Sequence, residues 1–108
     1  MFVHSVYFWL NDGLSEDQRR EFRHAVELLL AIDTVECGFV GTPADEFGFA
    51  GTPADTDRPI IDRTYSVALT VVFQDIIGHD GYQTDPAHLA FVDRYGTWWK
   101  KVLIYDAD

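Results

Sequence analysis

The chain has 108 residues, 47% hydrophobic and 15% aromatic, with a formal net charge of −10. That length suits a single domain over 1–108 with one modest core. The acidity argues against nucleic acid and anionic membrane surfaces as partners, since both call for clustered Lys and Arg. No apolar run reaches the roughly 18 residues a bilayer span needs. Met1-Phe2-Val3-His4-Ser5 lacks a basic leader, so no signal peptide is expected. A single cysteine, Cys37, leaves no internal disulfide, and a reducing, cytoplasmic setting fits.

Phe2 to Leu10 reads as a strand. Phe2, His4, Val6, Phe8 and Leu10 share one face, while Val3, Tyr7 and Trp9 share the other, with only Ser5 polar there. A strand apolar on both faces needs cover on both sides. Ser15 to Ala31 reads as a helix. Ser15 and Gln18 have capping-box spacing, and Glu16 and Asp17 suit the positive end of the helix dipole. Phe22, Ala25, Val26, Leu29 and Leu30 make one apolar stripe. Arg19, Arg20, Arg23 and Glu27 fall on the solvated side.

Thr34 to Val40 reads as a short strand, with Cys37 as a small buried hydrophobe. Gly41-Thr42-Pro43-Ala44-Asp45 then recurs as Gly51-Thr52-Pro53-Ala54-Asp55, a short tandem duplication within a loop over 41–62. Two copies of five residues are too few for a solenoid, and the loop is long for a compact domain. It reads either as a tolerated surface insertion or as an arm that packs on a partner subunit through Phe47 and Phe49.

Arg63 to Phe73 reads as a long strand with Tyr65, Val67, Leu69, Val71 and Phe73 on one side. Asp75 to Tyr82 reads as a short helix weakened by Gly78 and Gly81. Asp85 is a good N-cap, and Pro86 follows at the first helical position, where its missing N–H costs nothing. The next helix is expected to run through Trp99, with His88, Phe91, Val92, Tyr95 and Trp99 on one face. Lys101 to Tyr105 reads as the closing strand.

Strand, helix, strand, strand, helical region, strand is an α+β, ferredoxin-like order, with helices on one face of an antiparallel sheet. The other face then requires a cover. A second copy of the chain, sheet on sheet, is the economical one, so a homodimer is expected.

His88 on the apolar face of its helix is the first place to look for chemistry. Tyr82, just before the cap, brings a phenol near it, and His4 lies on the core face of the first strand. Each residue also has a plain structural role, as packed core. His4 with His88 lacks a third ligand of suitable spacing, so no metal is expected. No Gly-rich phosphate loop or nucleophile elbow occurs, and no cofactor is expected. His24 and His79 are expected to be exposed.

The His4 strand, the strand ending at Phe73, Tyr82, Pro86-Ala87-His88 and Phe91-Val92 together resemble the stress-responsive A/B-barrel domain, or Dabb, family. The resemblance covers nearly the whole chain and implies two ferredoxin-like chains paired into a dimeric α+β barrel. It also implies a small-molecule pocket between helices and sheet. A plant polyketide cyclase of that family closes its substrate by an intramolecular aldol step. By resemblance, Tyr82 and His88 match its catalytic pair, and His4 matches a further pocket histidine. Val67 stands where the cyclase carries another histidine, and Asp85 where many members carry one. Phe91 belongs with the expected pocket lining. Three readings follow. The first is a pocket that binds a small-molecule ligand and supports cyclase-like proton transfer. The second is a non-catalytic homodimer, structural or ligand-binding. The third, on fold analogy alone, is a quinol- or haem-type monooxygenase.

Overall fold

The computed structural model describes residues 1–42 and 60–108. Most of the duplicated segment, with Phe47 and Phe49, lies outside the described residues. The element order is β1 (Phe2–Leu10), α1 (Glu16–Leu28) with a 3-10 turn (Leu29–Ala31), β2 (Cys37–Gly41), β3 (Val67–Phe73), α2 (Ile76–Thr84), α3 (Pro86–Tyr95) and β4 (Trp99–Ala107). The sheet order is β2-β3-β1-β4, antiparallel throughout. This is the ferredoxin-like α+β fold expected from the element order.

Local chemistry sets the helix starts. Gln18 N–H donates to Ser15 Oγ at 3.1 Å, and Ser15 N–H donates to Gln18 Oε1 at 2.9 Å, completing the capping box. Asp75 caps α2 by accepting from Gly78 N–H at 3.0 Å. Asp85 caps α3 by accepting from Ala87 N–H at 2.8 Å.

The pleat of β1 divides the sheet. Phe2, His4, Val6, Phe8 and Leu10 are all buried beneath the helices. Val67, Leu69, Val71 and Phe73 of β3 join them on that inner face. From above, α1 contributes Phe22 and Val26, and α3 contributes Phe91 and Tyr95. Phe22 is the hub. Its ring lies 5.2 Å from Phe8, 5.8 Å from Phe91, 5.9 Å from Tyr95 and 6.0 Å from Trp99, centroid to centroid. Tilted and edge-on pairs of this kind add to area burial.

Several features depart from the expected boundaries and burial. The α3 helix stops at Tyr95, and Trp99 opens β4 instead of extending the helix. Tertiary hydrogen bonds draw the chain away after the Gly96 cap: Asn11 N–H donates to the Trp98 carbonyl at 2.9 Å, and Asn11 Nδ2 donates to the Thr97 carbonyl at 2.7 Å. The β3 ladder begins at Val67. Just before it, Ser66 N–H donates to the Phe8 carbonyl at 2.7 Å while Ser66 Oγ accepts from Leu10 N–H at 3.0 Å. With the alternation broken there, Tyr65 packs edge-on to Tyr7 and Trp9 of the outer face and not on the core side. Cys37 is exposed and not buried. It lies in edge strand β2 opposite Val72, which pairs in turn with Val3, and this row points away from the helices.

Phe22 is 0% exposed. Phe22→Ala should cost about 3–5 kcal/mol of stability, read as a lower midpoint in urea unfolding. A loss below about 1 kcal/mol would show that the aromatic cluster does not hold α1 on the sheet.

Candidate functional site

The inner face is aliphatic and aromatic except at one position. His4 is 3% exposed, and among the described residues it is the one polar or charged residue in the buried set. Such a group needs a partner. The register supplies one, because His4 stands opposite Asp106 of β4 on the same face, with Nδ1 2.5 Å from Asp106 Oδ1. Burial lowers the His4 pKa from its ordinary 6.5, the Asp106 carboxylate pulls it back up, and His79 pushes it down.

A cavity of about 210 Å³ lies between this part of the sheet and the helices. His4, Val6 and Leu69 come from the sheet, and Tyr82, His88 and Phe91 from the helices. Val102 and Ile104 of β4 also line it and are 38% and 49% exposed, so the cavity opens along that edge of the sheet. The Tyr82 and His88 rings are 4.7 Å apart, and those of His4 and Tyr82 are 6.0 Å apart. The sequence explains the pairing. Tyr82 is in the last turn of α2, and the Asp85-Pro86 cap starts α3 at once, which returns His88 beside it.

Electrostatics favour the neutral forms. His88 has its pKa lowered, mainly by burial and then by the charge of His4; Asp85 and the Gln83 backbone oppose the shift, and His79 adds to it. Its Nδ1 is buried and has no hydrogen-bond partner. Burial raises the Tyr82 pKa far above its ordinary value of 10.0. At neutral pH the site therefore holds a neutral imidazole and a protonated phenol, groups of the kinds that accept a proton and donate a hydrogen bond.

The other expected residues divide. Phe91 lines the cavity. Asp85 is occupied as the α3 cap and reaches His88 through its charge. Val67 is buried at the far end of β3, opposite Phe8, and lines a different depression beside Arg19 and Arg23. His24 is exposed, with 72% of its side chain accessible.

His79 corrects the sequence reading. Only 12% of its side chain is accessible. Its ring centroid lies 4.6 Å from Phe2, 4.9 Å from His4 and 5.6 Å from Phe73. Gly78 and Asp80 beside it suggest a wet position, but in α2 it falls three residues before Tyr82, on the same helical face. That spacing was the available signal. Asp106 carries no such signal, because it lies beyond Tyr105, where the apolar pattern of the closing strand ends.

The sequence model of the Stress Responsive A/B Barrel Domain matches residues 2–108. A comparison with curated proteins found no match. Among solved structures, a Dabb family protein with a ferredoxin-like fold from Mesorhizobium loti is 26% identical, with a TM-score of 0.70 over 99% of this chain and 94% of that one. A hydroxynitrile lyase from Passiflora edulis is 18% identical, with a TM-score of 0.76 over 98% of this chain and 90% of that one. A dimeric ferredoxin-like protein of unknown function from Thermobifida fusca is 19% identical, with a TM-score of 0.72 over 98% and 88%. No helix among the described residues is long and apolar enough to cross a membrane.

The buried placement of His88 has a measurable sign. Its folded pKa is below 6.5, so between the two values the unfolded chain binds more protons, and stability falls as pH drops through 6.5. An NMR titration should give His88 a midpoint below 6.5, shifted upward in His4→Ala. Melting temperature should drop from pH 7.5 to 5.5, less steeply in His88→Gln. A His88 midpoint at or above 6.5 would contradict this placement.

Proposed function

The chain belongs to the stress responsive A/B barrel domain family, and from that membership we propose an acid–base enzyme acting on a small carbonyl compound held between helices and sheet. His88 is the general base and Tyr82 the hydrogen-bond donor to the oxygen that becomes negative. His4 forms the wall behind them. One observation carries this reading: a neutral imidazole and a neutral phenol pack side by side, ring centroids 4.7 Å apart, in the lining of one cavity.

In an aldol closure, His88 would take a proton from carbon next to a carbonyl. The enolate carbon then bonds to a second carbonyl carbon, and Tyr82 stabilises the alkoxide until it is protonated. The likeness to a hydroxynitrile lyase fits the same parts. Cleaving a hydroxynitrile needs a base for the hydroxyl proton and a donor at the carbonyl oxygen, with cyanide leaving. Both reactions make or break a carbon–carbon bond beside a carbonyl, and neither changes an oxidation state overall. That likeness supports the proton-transfer reading over the monooxygenase one.

The active form in this proposal is a homodimer. The outer sheet face carries Val3, Tyr7 and Val72 half-buried, with Phe39, Leu103 and Tyr105 exposed. An apolar sheet face of this size needs a cover, and similar folds are described as dimeric. Leu103→Glu places an unpaired charge on that face. It should halve the mass seen by light scattering at micromolar concentration, and a wild-type monomer there would remove the dimer from the proposal.

Turnover can be assayed with a panel of aromatic cyanohydrins and linear β-polyketone thioesters. His88→Ala and Tyr82→Phe should each lower kcat/KM by about 10²–10⁴-fold while the melting temperature stays near wild type. Unchanged turnover in His88→Ala, or a melting temperature that collapses with it, would favour the plain packing role.

A further inference from the structure

We propose that His4, His79 and Asp106 form a two-histidine, one-carboxylate site for a divalent first-row transition ion. Each offers one ligand atom, and these atoms lie within 4.8 Å of one another. The three come from β1, α2 and β4, 27 residues or more apart in sequence, so helical or strand periodicity does not bring them together.

A bound ion holds its ligand atoms roughly 3–3.5 Å apart at metal–ligand distances of about 2.0–2.2 Å. Two of the three side chains are already fixed. His4 is buried in the central strand, and His79 is held between Phe2 and Phe73. Asp106 is 40% exposed, so its carboxylate has room to turn and close the remaining distance. Metal-bound histidines commonly donate their second ring N–H to a carboxylate. Asp80 Oδ1 lies 3.3 Å from His79 Nδ1, in position to accept such a bond. That arrangement leaves His79 Nε2 as the ligand atom. Gln83 Nε2, now 3.2 Å from it, would give up that lone pair to the ion.

The donor set decides the class of ion. Two imidazoles and one carboxylate suit Zn²⁺, Fe²⁺, Co²⁺ or Ni²⁺ better than Mg²⁺ or Ca²⁺, which prefer oxygen alone. The pairing of His4 with Asp106 is the contact that must open, its hydrogen bond replaced by two bonds to the ion. His4 also lines the cavity of Tyr82 and His88, so open coordination positions lie within reach of a ligand there. The site does not depend on the acid–base reading, and its test needs no substrate.

Titration calorimetry with Co²⁺ on the 108-residue chain, carrying Cys37→Ser to remove the exposed thiol, should show saturable uptake of one ion per chain. His79→Ala and Asp106→Asn should each weaken it by at least roughly tenfold, and His24→Ala should leave it unchanged. A variant that fails to fold does not block the test. In the Cys37→Ser chain itself, paramagnetic Co²⁺ should broaden the ring signals of His4 and His79 and spare His24. Absence of saturable uptake, unchanged uptake in a folded His79→Ala, or broadening confined to His24 would each overturn the proposal.

Discussion

β1 is hydrogen-bonded along both edges, to β3 on one side and β4 on the other, and its pleat organises everything else. A strand locked between two neighbours cannot slip by one residue without exchanging its entire buried face for its outer one. Phe2, Val6, Phe8 and Leu10 make such a slip costly, since each would leave the core. The same lock carries His4 inward. The imidazole is therefore buried by its neighbours' hydrophobicity, and the cost of desolvating it is offset by Asp106 across the ladder. Fold and chemistry share one register.

That register also explains what could be read from the chain. The alternation of β1, the stripe on α1 and the caps at Ser15 and Asp85 are local signals, and each specifies its element within a few positions. The ferredoxin-like order follows from them. The misplacements have tertiary causes. Trp99 continues the helical period of His88, Phe91 and Tyr95, but bonds from Asn11 to the Thr97 and Trp98 carbonyls capture that segment for the sheet. Tyr65 continues the period of β3, but the Ser66 side chain takes a ladder hydrogen bond and breaks it. Cys37 reads as core until β2 is known to be an edge strand with that row facing outward.

The candidate site divides in the same way. Tyr82 and His88 were legible because the short segment between them, with its Asp-Pro cap, fixes their relation locally. His79 and Asp106 were not, because their importance is set by His4, a residue far from both in sequence. A histidine flanked by glycine and aspartate resembles a surface histidine until Phe2 and Phe73 are seen to cover it.

The inner face has two unlike ends. Toward Leu10 it is filled by Phe8, Phe22, Phe91, Tyr95 and Trp99, with rings in mutual contact. Such packing leaves little freedom for side chains to move. Toward Phe2 it holds His4, His79, Tyr82 and His88. The rigid end holds α3 on the sheet, and α3 carries His88 to the polar end. Burial there drives His4 and His88 toward neutral imidazole and Tyr82 toward neutral phenol. Neutral groups cost far less to bury than charged ones, so the fold can keep lone pairs and a hydroxyl proton inside an apolar cavity. A site proposed for proton transfer would need that condition, since its groups would start neutral and gain charge on exchanging a proton.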